Sequence, residues 1–196
     1  MRRRQPPPRL WLMTDERQGD ALWPVLARLP RGAGIVFRHR RTPPAERRAL
    51  YERVRRIARA RGLVLLLAGS PREAIAWKAD GAHGPSPHRT APRMLCRTAA
   101  AHDARELIAG TRRRVDLLFL SPVFATRSHP GAAALGVTRF GLLARKTRVP
   151  VVALGGMDAA RGRRLRALGA FGWAAIDAWN EKPACGADQK RKAVPI

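Results

Sequence analysis

Two segments of the sequence carry residue types that can bind an anionic group, and each continues an apolar run. The first, SPVFATRSHPGAAALG (residues 121 to 136), follows VDLLFL and contains threonine, arginine and histidine donors. The second, VPVVALGGM, ends in Gly155 and Gly156 rather than in a hairpin turn. Because glycine has no side chain, its backbone N–H groups can approach phosphate oxygens closely. A glycine pair also suits a tight turn, so both interpretations remain open.

The composition is that of one globular domain with an unusually high positive charge. The chain has 196 residues and a net charge of +25, carried almost entirely by arginine. Solvated helix faces in an arginine-rich sequence explain this charge, and a functional polyanion-binding surface is the alternative. Since no helix-turn-helix, RNA-recognition or zinc-finger pattern is present, we expect only non-specific attraction to nucleic acid at low salt.

Cysteine usage and hydropathy indicate a cytoplasmic protein. Cys96 and Cys185 are far apart and form no CxxC spacing, so neither a disulfide framework nor a zinc site is predicted. No apolar run approaches the roughly 20 residues that span a bilayer. The basic start has too short an apolar segment for a signal peptide. We therefore expect reduced thiols and no membrane association.

Short apolar runs recur along the chain and predict eight β-strands. Several runs are continuously apolar, which is typical of strands buried on both faces. The predicted strands are LWLM (10–13), GIVF (34–37), LVLLL (63–67), DGAHG (80–84), RMLC (93–96), VDLLFL (115–120), VPVVAL (149–154) and FGWAAI (171–176).

Segments with helical periodicity lie between these strands. In PPAERRALYERVRRIARARG (43–62) the apolar residues form one stripe, and Gly62 suits the C-terminal end. Ser70 and Asp158 are predicted N-caps, and Gly169 is a predicted C-cap. The other predicted helices are SPREAIAWK (70–78), AHDARELIAG (101–110), VTRFGLLARK (137–146) and DAARGRRLRALGA (158–170).

This alternation favours an α/β fold, a small single-domain (β/α)₈ TIM barrel, over an open doubly wound sheet. No GxGxxG follows the first strand, which argues against the open sheet. The barrel is predicted over residues 10–179, with disordered ends at 1–9 and 180–196, and with a trimmed unit around DGAHGPSPHRTAPRM. Because barrel active sites lie on the loops after the strands, residues 121–136 would follow strand six and the glycine pair strand seven.

With these motifs, the chain resembles the thiamine-phosphate synthase and TenI-like superfamily of small (β/α)₈ barrels over about residues 10–179. LWLMTDE is similar to its first strand, SPVFATRSHPGAAALG to its sixth-strand loop and VPVVALGGM to its seventh strand. IVFRHR stands at a strand ending in Arg-x-Lys, and DGAHG at an Asp-Gly-Val-His strand. The resemblance implies a transferase that joins a pyrimidine diphosphate to a thiazole phosphate with Mg²⁺ assistance, forming thiamine phosphate and pyrophosphate.

The resemblance also implies roles for individual residues that hold phosphate groups. In the family, a strand-two arginine and lysine bind the diphosphate, a hydroxyl-rich element follows strand five, and the sixth loop and the glycines contact phosphate. The matching positions are Arg38, Arg40, Thr98, Thr126, Arg127, Gly155 and Gly156. His39, between the two arginines, is predicted to face the outer helices.

The metal ligands of the family are missing from this sequence. Where its third strand ends in Asn-Asp, one residue of which binds Mg²⁺, this chain has Ala68 and Gly69, and His88 stands near a second expected aspartate. Mg²⁺ prefers hard oxygen ligands, which these residues do not supply. We therefore predict no metal-ligating residue. Asp177, where the family has a serine at its phosphate, is predicted to begin the last helix.

Candidate acid–base residues are restricted to two histidines. TenI-type tautomerases use a histidine just after strand six, where this chain has Pro122. His129 lies later in the same loop and His83 ends the fourth strand, and either is a candidate catalytic residue.

Three functions remain open from the sequence. The first is a thiamine-phosphate synthase or a TenI-like relative, the second a catalytically degenerate barrel that binds a phosphorylated thiamine precursor as sensor or carrier, and the third a nucleic-acid-binding protein. The predicted partners are small phosphorylated pyrimidine and thiazole ligands, and a homo-oligomer is left open.

Overall fold

Eight parallel strands form a closed barrel in chain order, and β1 pairs with β8 to complete it. The computed structural model describes residues 6–84, 95–126, 131 and 133–179. The predicted (β/α)₈ architecture is confirmed. The strands are β1 (Leu10–Met13), β2 (Gly34–Phe37), β3 (Val64–Ala68), β4 (Gly81–His83), β5 (Cys96–Ala101), β6 (Leu117–Leu120), β7 (Val151–Leu154) and β8 (Gly172–Ala175).

Helices cover the outside of the barrel where periodicity predicted them, with one addition. The additional pair is a 3₁₀ helix (Glu16–Ala21) followed by α1 (Leu22–Arg28). Seven residues interrupted by Pro24 give too short a periodic pattern to be recognised in the sequence. The remaining helices are α2 (Pro44–Arg61), α3 (Pro71–Ala76), α4 (Ala104–Arg112), α5 (Gly136–Ala144) and α6 (Ala159–Arg166).

Strand β5 is the one strand whose predicted position is wrong. The sequence predicted residues 93–96, but the strand begins at Cys96 and continues to Ala101. Its alanines have weak intrinsic strand preference, so the sequence CRTAAA was not recognised. Pairing with β4 on one side and β6 on the other holds this segment in the sheet. The trimmed unit predicted before it falls on residues 85–94, outside the described residues.

Alternating side chains divide the strands between a filled interior and an outer layer beneath the helices. Trp11 and Phe119 meet edge to face inside the barrel, with ring centroids 5.4 Å apart, and Val36 and Leu66 pack in the same cluster. Gly34 accommodates the Trp11 ring, because a Cβ there would collide with it. Since this interior is packed, a ligand has room only above it, at the carboxyl ends of the strands.

Residues just before β1 pack against the amino end of the barrel. The indole of Trp11 donates to the carbonyl of Pro8 (2.7 Å), and the amide of Trp173 donates to the carbonyl of Arg9 (2.9 Å). These residues belong to the segment for which the sequence predicted disorder, whereas residues 1–5 and 180–196 lie outside the described part of the chain.

Candidate active site

Arg38 follows β2 and is tied to the end of β1. Its Nε donates to the carbonyl of Thr14 (2.8 Å), and its Nη2 lies 2.6 Å from Oδ2 of Asp15. Burial lowers the pKa of Arg38 and the charge of Asp15 opposes this, so the guanidinium stays protonated. Burial by itself raises the pKa of Asp15, but hydrogen bonds from Arg17 and the charge of Arg38 outweigh it and leave this pKa below its ordinary value.

His39 lies between Arg38 and Arg40 in the sequence, and its ring faces away from the site, as predicted. Its ring stacks on Phe37, with centroids 4.7 Å apart, and its Nδ1 lies 2.9 Å from the hydroxyl of Thr14. Phe37 belongs to the outer core beneath the helices. The stack therefore orients this turn.

Arg40 reaches over the ends of β3 and β4. A Cβ built on Gly84 would lie 3.7 Å from Nη2 of Arg40 and 3.8 Å from the carbonyl oxygen of Gly69. The side chain is exposed and makes no ion pair or hydrogen bond within the described residues. No carboxylate of the described residues therefore lies within ion-pair distance of its guanidinium.

His83 ends β4 beneath these arginines. Its Nδ1 lies 2.9 Å from the hydroxyl of Thr98, and its ring meets the Phe119 ring edge-on at 5.3 Å. Burial, together with the charges of Arg40 and Arg38, lowers the pKa of His83 to about 4. The imidazole is therefore neutral at physiological pH. Thr98 is only 1 % exposed, so its hydroxyl orients His83 from below.

Arg38, Arg40 and His83 line one cavity of about 1020 Å³ at the carboxyl ends of the strands. Further charged residues reach the same cavity from the loop after β1, from the segment after β2 and from α4. They are Asp15, Glu16, Arg17, Arg41, Asp103, Arg105, Glu106 and Arg113. The sequence-predicted diphosphate residues of strand two are thus brought together with the predicted strand-four histidine.

Thr126 and the glycine pair line a second cavity, of about 280 Å³, at the ends of β6 to β8. Gly155 and Gly156 have φ of +93° and +60°, a region that favours glycine. A Cβ on Gly155 would lie 2.7 Å from Cα of Pro122, and one on Gly156 2.5 Å from the carbonyl oxygen of Ala125. The glycine pair therefore allows the loop after β6 to pack on the loop after β7, which agrees with the tight-turn interpretation. A ligand role is also compatible, because the pair lines the cavity.

Arg161 in the first turn of α6 also reaches this cavity, and sequence reasoning did not single it out. Its guanidinium lies over the Phe124 ring, 4.7 Å from the centroid, and donates to the carbonyl of Gly156. Asp158 caps α6 as predicted, accepting from the amide of Arg161 (2.8 Å). Because the sequence predicted that a helix begins at Asp158, it also held the information that Arg161 lies in the first turn of a helix beside the glycine pair.

Asp177 does not lie where the sequence predicted. It was expected to begin a last helix, but residues 176–179 form a bend and a turn, and Asp177 lines the cavity beside the glycine pair. The hydrogen bond to Asp15 is the main cause that raises the pKa of Arg17, and the charge of Asp177 adds to it. Arg127 and His129, the remaining predicted site residues, lie outside the described residues.

Comparison with known proteins agrees with this architecture. The sequence profile of a family described as thiamine monophosphate synthase matches residues 10–179. The chain belongs to that family. A thiamine-phosphate synthase of Chloroflexus aurantiacus is 28% identical over 87% of this chain and 84% of its own, and a putative thiamine-phosphate synthase 2 of Aquifex aeolicus is 28% identical over 89% and 98%.

A solved structure has the same fold. The thiamine phosphate pyrophosphorylase of Pyrococcus furiosus superposes with a TM-score of 0.75 at 22% identity, covering 90% of each chain. Within the described residues, no helix is long and apolar enough to cross a membrane.

The thiamine monophosphate synthase family implies magnesium, and the residues at the expected position do not fit it. Ala68 and Gly69 end β3 without a side-chain oxygen, and the carbonyl of Ala68 accepts from Arg47 (3.0 Å). Across the described ranges, no group of three or more His, Cys, Asp or Glu side chains is arranged to hold a metal ion. The residues that end β3 therefore do not fit a magnesium ion, which prefers several hard oxygen ligands.

Proposed function

We propose that the protein is a thiamine-phosphate synthase that joins a pyrimidine diphosphate to a thiazole phosphate. One observation carries this proposal: a cavity rich in arginine and a glycine-lined cavity open at the same end of one barrel. Two phosphorylated substrates need two anion sites within reach of each other, and the paired cavities provide them.

Arg38 and Arg40 hold the diphosphate in this proposal, and the amides of Gly155 and Gly156 hold the thiazole phosphate. The bond between the pyrimidine methylene carbon and the diphosphate oxygen breaks, and its electron pair leaves with pyrophosphate. The thiazole nitrogen then supplies the pair for the new C–N bond. Fixed positive charges at the leaving group favour this step, because negative charge accumulates there.

His83 supports the bond-breaking step as a neutral hydrogen-bonding group in this proposal. With a pKa of about 4, its ring is not protonated to imidazolium at neutral pH, so it cannot act as a general acid towards the leaving group. The guanidinium groups above it therefore have to stabilise the charge of pyrophosphate themselves. His129 remains a candidate acid–base residue from the sequence, outside the described residues.

A synthase assay tests this function directly. Purified protein receives pyrimidine diphosphate, thiazole phosphate and Mg²⁺, and the product is detected as fluorescent thiochrome after oxidation. We expect turnover that falls about 100-fold in Arg38→Ala and is unchanged in Arg56→Ala, an exposed arginine of α2. A flat trace from protein with an intact circular dichroism spectrum would overturn the assignment.

A degenerate barrel that binds a phosphorylated thiamine precursor without turnover is the second candidate. The observation in its favour is the loss of metal carboxylates at Ala68 and Gly69. Calorimetric titration with thiazole phosphate and with thiamine phosphate separates the two functions: binding without thiochrome formation indicates the degenerate barrel, and product that scales with protein concentration excludes it.

A further inference from the structure

The ends of β3 and β4 are occupied by groups that leave little for a cation to bind. The carboxylate of Glu73 reaches Gly69, but its Oε1 is paired with Nη1 of Arg47 (2.7 Å). Nη2 of Arg47 donates a hydrogen bond to the carbonyl of Ala68. A divalent ion needs several unclaimed oxygens, so it would have to displace Arg47 from both partners.

The chain segment that follows β4 adds no oxygen ligand of the required kind. Residues 85–94, PSPHRTAPRM, contain neither aspartate nor glutamate, and they add Arg89, Arg93 and His88. At the described ends of β3 and β4, the carboxylate of Glu73 is already paired with Arg47.

Arg40 brings positive charge to the part of the mouth where a metal ion would need negative charge. Its Nη2 lies near Gly84, 3.7 Å from the point that a Cβ on Gly84 would occupy, and the carbonyl oxygen of Gly69 lies 3.8 Å from the same point. Whereas Arg38 shares its charge with Asp15, Arg40 has no carboxylate partner within the described residues. Burial is the main cause of the lowered pKa of His83, and the charges of Arg40 and Arg38 add to it. Arg40 and His83 line the same cavity.

A guanidinium differs from a metal ion in how it holds a diphosphate. Its planar N–H groups donate to two oxygens at once, it stays protonated, and it needs no carboxylates of its own. Carboxylates neutralise the charge of a bound metal ion, but beside an arginine they would weaken its attraction for an anion. The replacement of the family's metal ligands by Ala68 and Gly69 is therefore consistent with anion binding by Arg40.

We propose that Arg40 replaces the divalent cation, and that the mouth binds a diphosphate group without metal. This inference rests on the proposed function, which assigns this cavity to a diphosphate. It departs from the magnesium dependence that family membership implies, and it makes Arg40 the residue that this chain requires for metal-free binding.

Calorimetric titration of the full-length protein with inorganic pyrophosphate tests the inference. The titration is made once in EDTA and once in excess Mg²⁺, with free pyrophosphate corrected for its magnesium complex. We expect dissociation constants within about threefold of each other in the two buffers. In EDTA, Arg40→Ala should weaken binding roughly tenfold or more and Arg40→Lys less, since the point charge remains.

Arg56→Ala is the control for the loss of one positive charge elsewhere, and it should bind as the wild type does. Binding that appears only with Mg²⁺, or an Arg40→Ala variant that binds normally in EDTA, overturns the inference. An absence of binding in both buffers overturns it as well. The thiochrome assay reports separately on the proposed function, since synthase activity that requires Mg²⁺ would retain that function while excluding this inference.

Discussion

The carboxylate of Asp15 lies 2.6 Å from Nη2 of Arg38 and thereby joins the ends of β1 and β2. The same carboxylate accepts from the amide of Arg17 (3.1 Å) at the start of the 3₁₀ helix. Asp15 thus has two separable functions, one as a charge partner and one as a helix cap.

Substitutions of Asp15 should separate these two functions. Asparagine retains an oxygen for the cap and loses the charge, so we expect Asp15→Asn to cost about 1 kcal/mol and Asp15→Ala about 2 kcal/mol in the free energy of unfolding. Urea denaturation followed by circular dichroism measures both. Pyrophosphate affinity should rise a few-fold in Asp15→Asn, because a negative charge leaves the cavity. An Asp15→Asn protein with unchanged stability and affinity would contradict the role of the pair.

Protonation of His83 should destabilise the fold in acid. Its pKa is about 4 in the folded protein and 6.5 ordinarily, so the unfolded chain binds more protons between these values. Stability is therefore complete above pH 6.5 and falls by roughly 3 kcal/mol as the pH drops to 4. Urea denaturation across this range should show a shallower slope in His83→Asn. An unchanged slope in His83→Asn would contradict this account of the acid sensitivity.

A methyl group at Gly156 should disturb both the sixth loop and the glycine-lined cavity. The control is Gly32→Ala, since Gly32 also has positive φ, +77°, but no atom lies within 4 Å of the point that its Cβ would occupy. Gly32→Ala should cost about 1 kcal/mol of backbone strain, and Gly156→Ala about 1–3 kcal/mol more from the clash with Ala125. Thermal unfolding measures the stability, and titration with thiazole phosphate should show weaker binding only in Gly156→Ala. Equal behaviour of the two variants would refute a close fit at the loop.

Arg47 should contribute more to the free energy of unfolding than its neighbour Arg48. Both guanidinium groups lie 4.9 Å from the Trp77 ring centroid, but only Arg47 also donates to the carbonyl of Ala68. We expect Arg47→Ala to lower the free energy of unfolding by about 2 kcal/mol, because that buried carbonyl loses its donor. Arg48→Ala should cost less than about 1 kcal/mol. Chemical denaturation compares the two, and equal losses would assign the effect to Trp77 alone.

Features that depend on neighbouring residues in the chain were predicted correctly from the sequence. The long helix ends at Gly62 in the left-handed conformation, and Ser70 and Asp158 accept hydrogen bonds as N-caps. These features depend on contacts within about four residues, so local residue types are enough to predict them.

Contacts between distant segments could not be predicted in this way. β5 was misplaced because its alanines become a strand only between β4 and β6. Arg161 and Asp177 were not recognised as cavity residues, since the paths of the loops after β7 and β8 set their positions. The predicted roles of Arg127 and His129 stay predictions.

The sequence alone determined the eight-stranded barrel, because buried apolar strands alternating with helices leave few other arrangements. It therefore also placed Arg38, Arg40 and the glycine pair at one end of the barrel. Only the tertiary structure decided which of those charges are balanced. Asp15 neutralises Arg38 across 23 residues of chain, and Glu73 occupies Arg47 across 26, whereas Arg40 is left unpaired within the described residues. Electrostatic partners are chosen by distance in space, and residue order along the chain does not contain that distance.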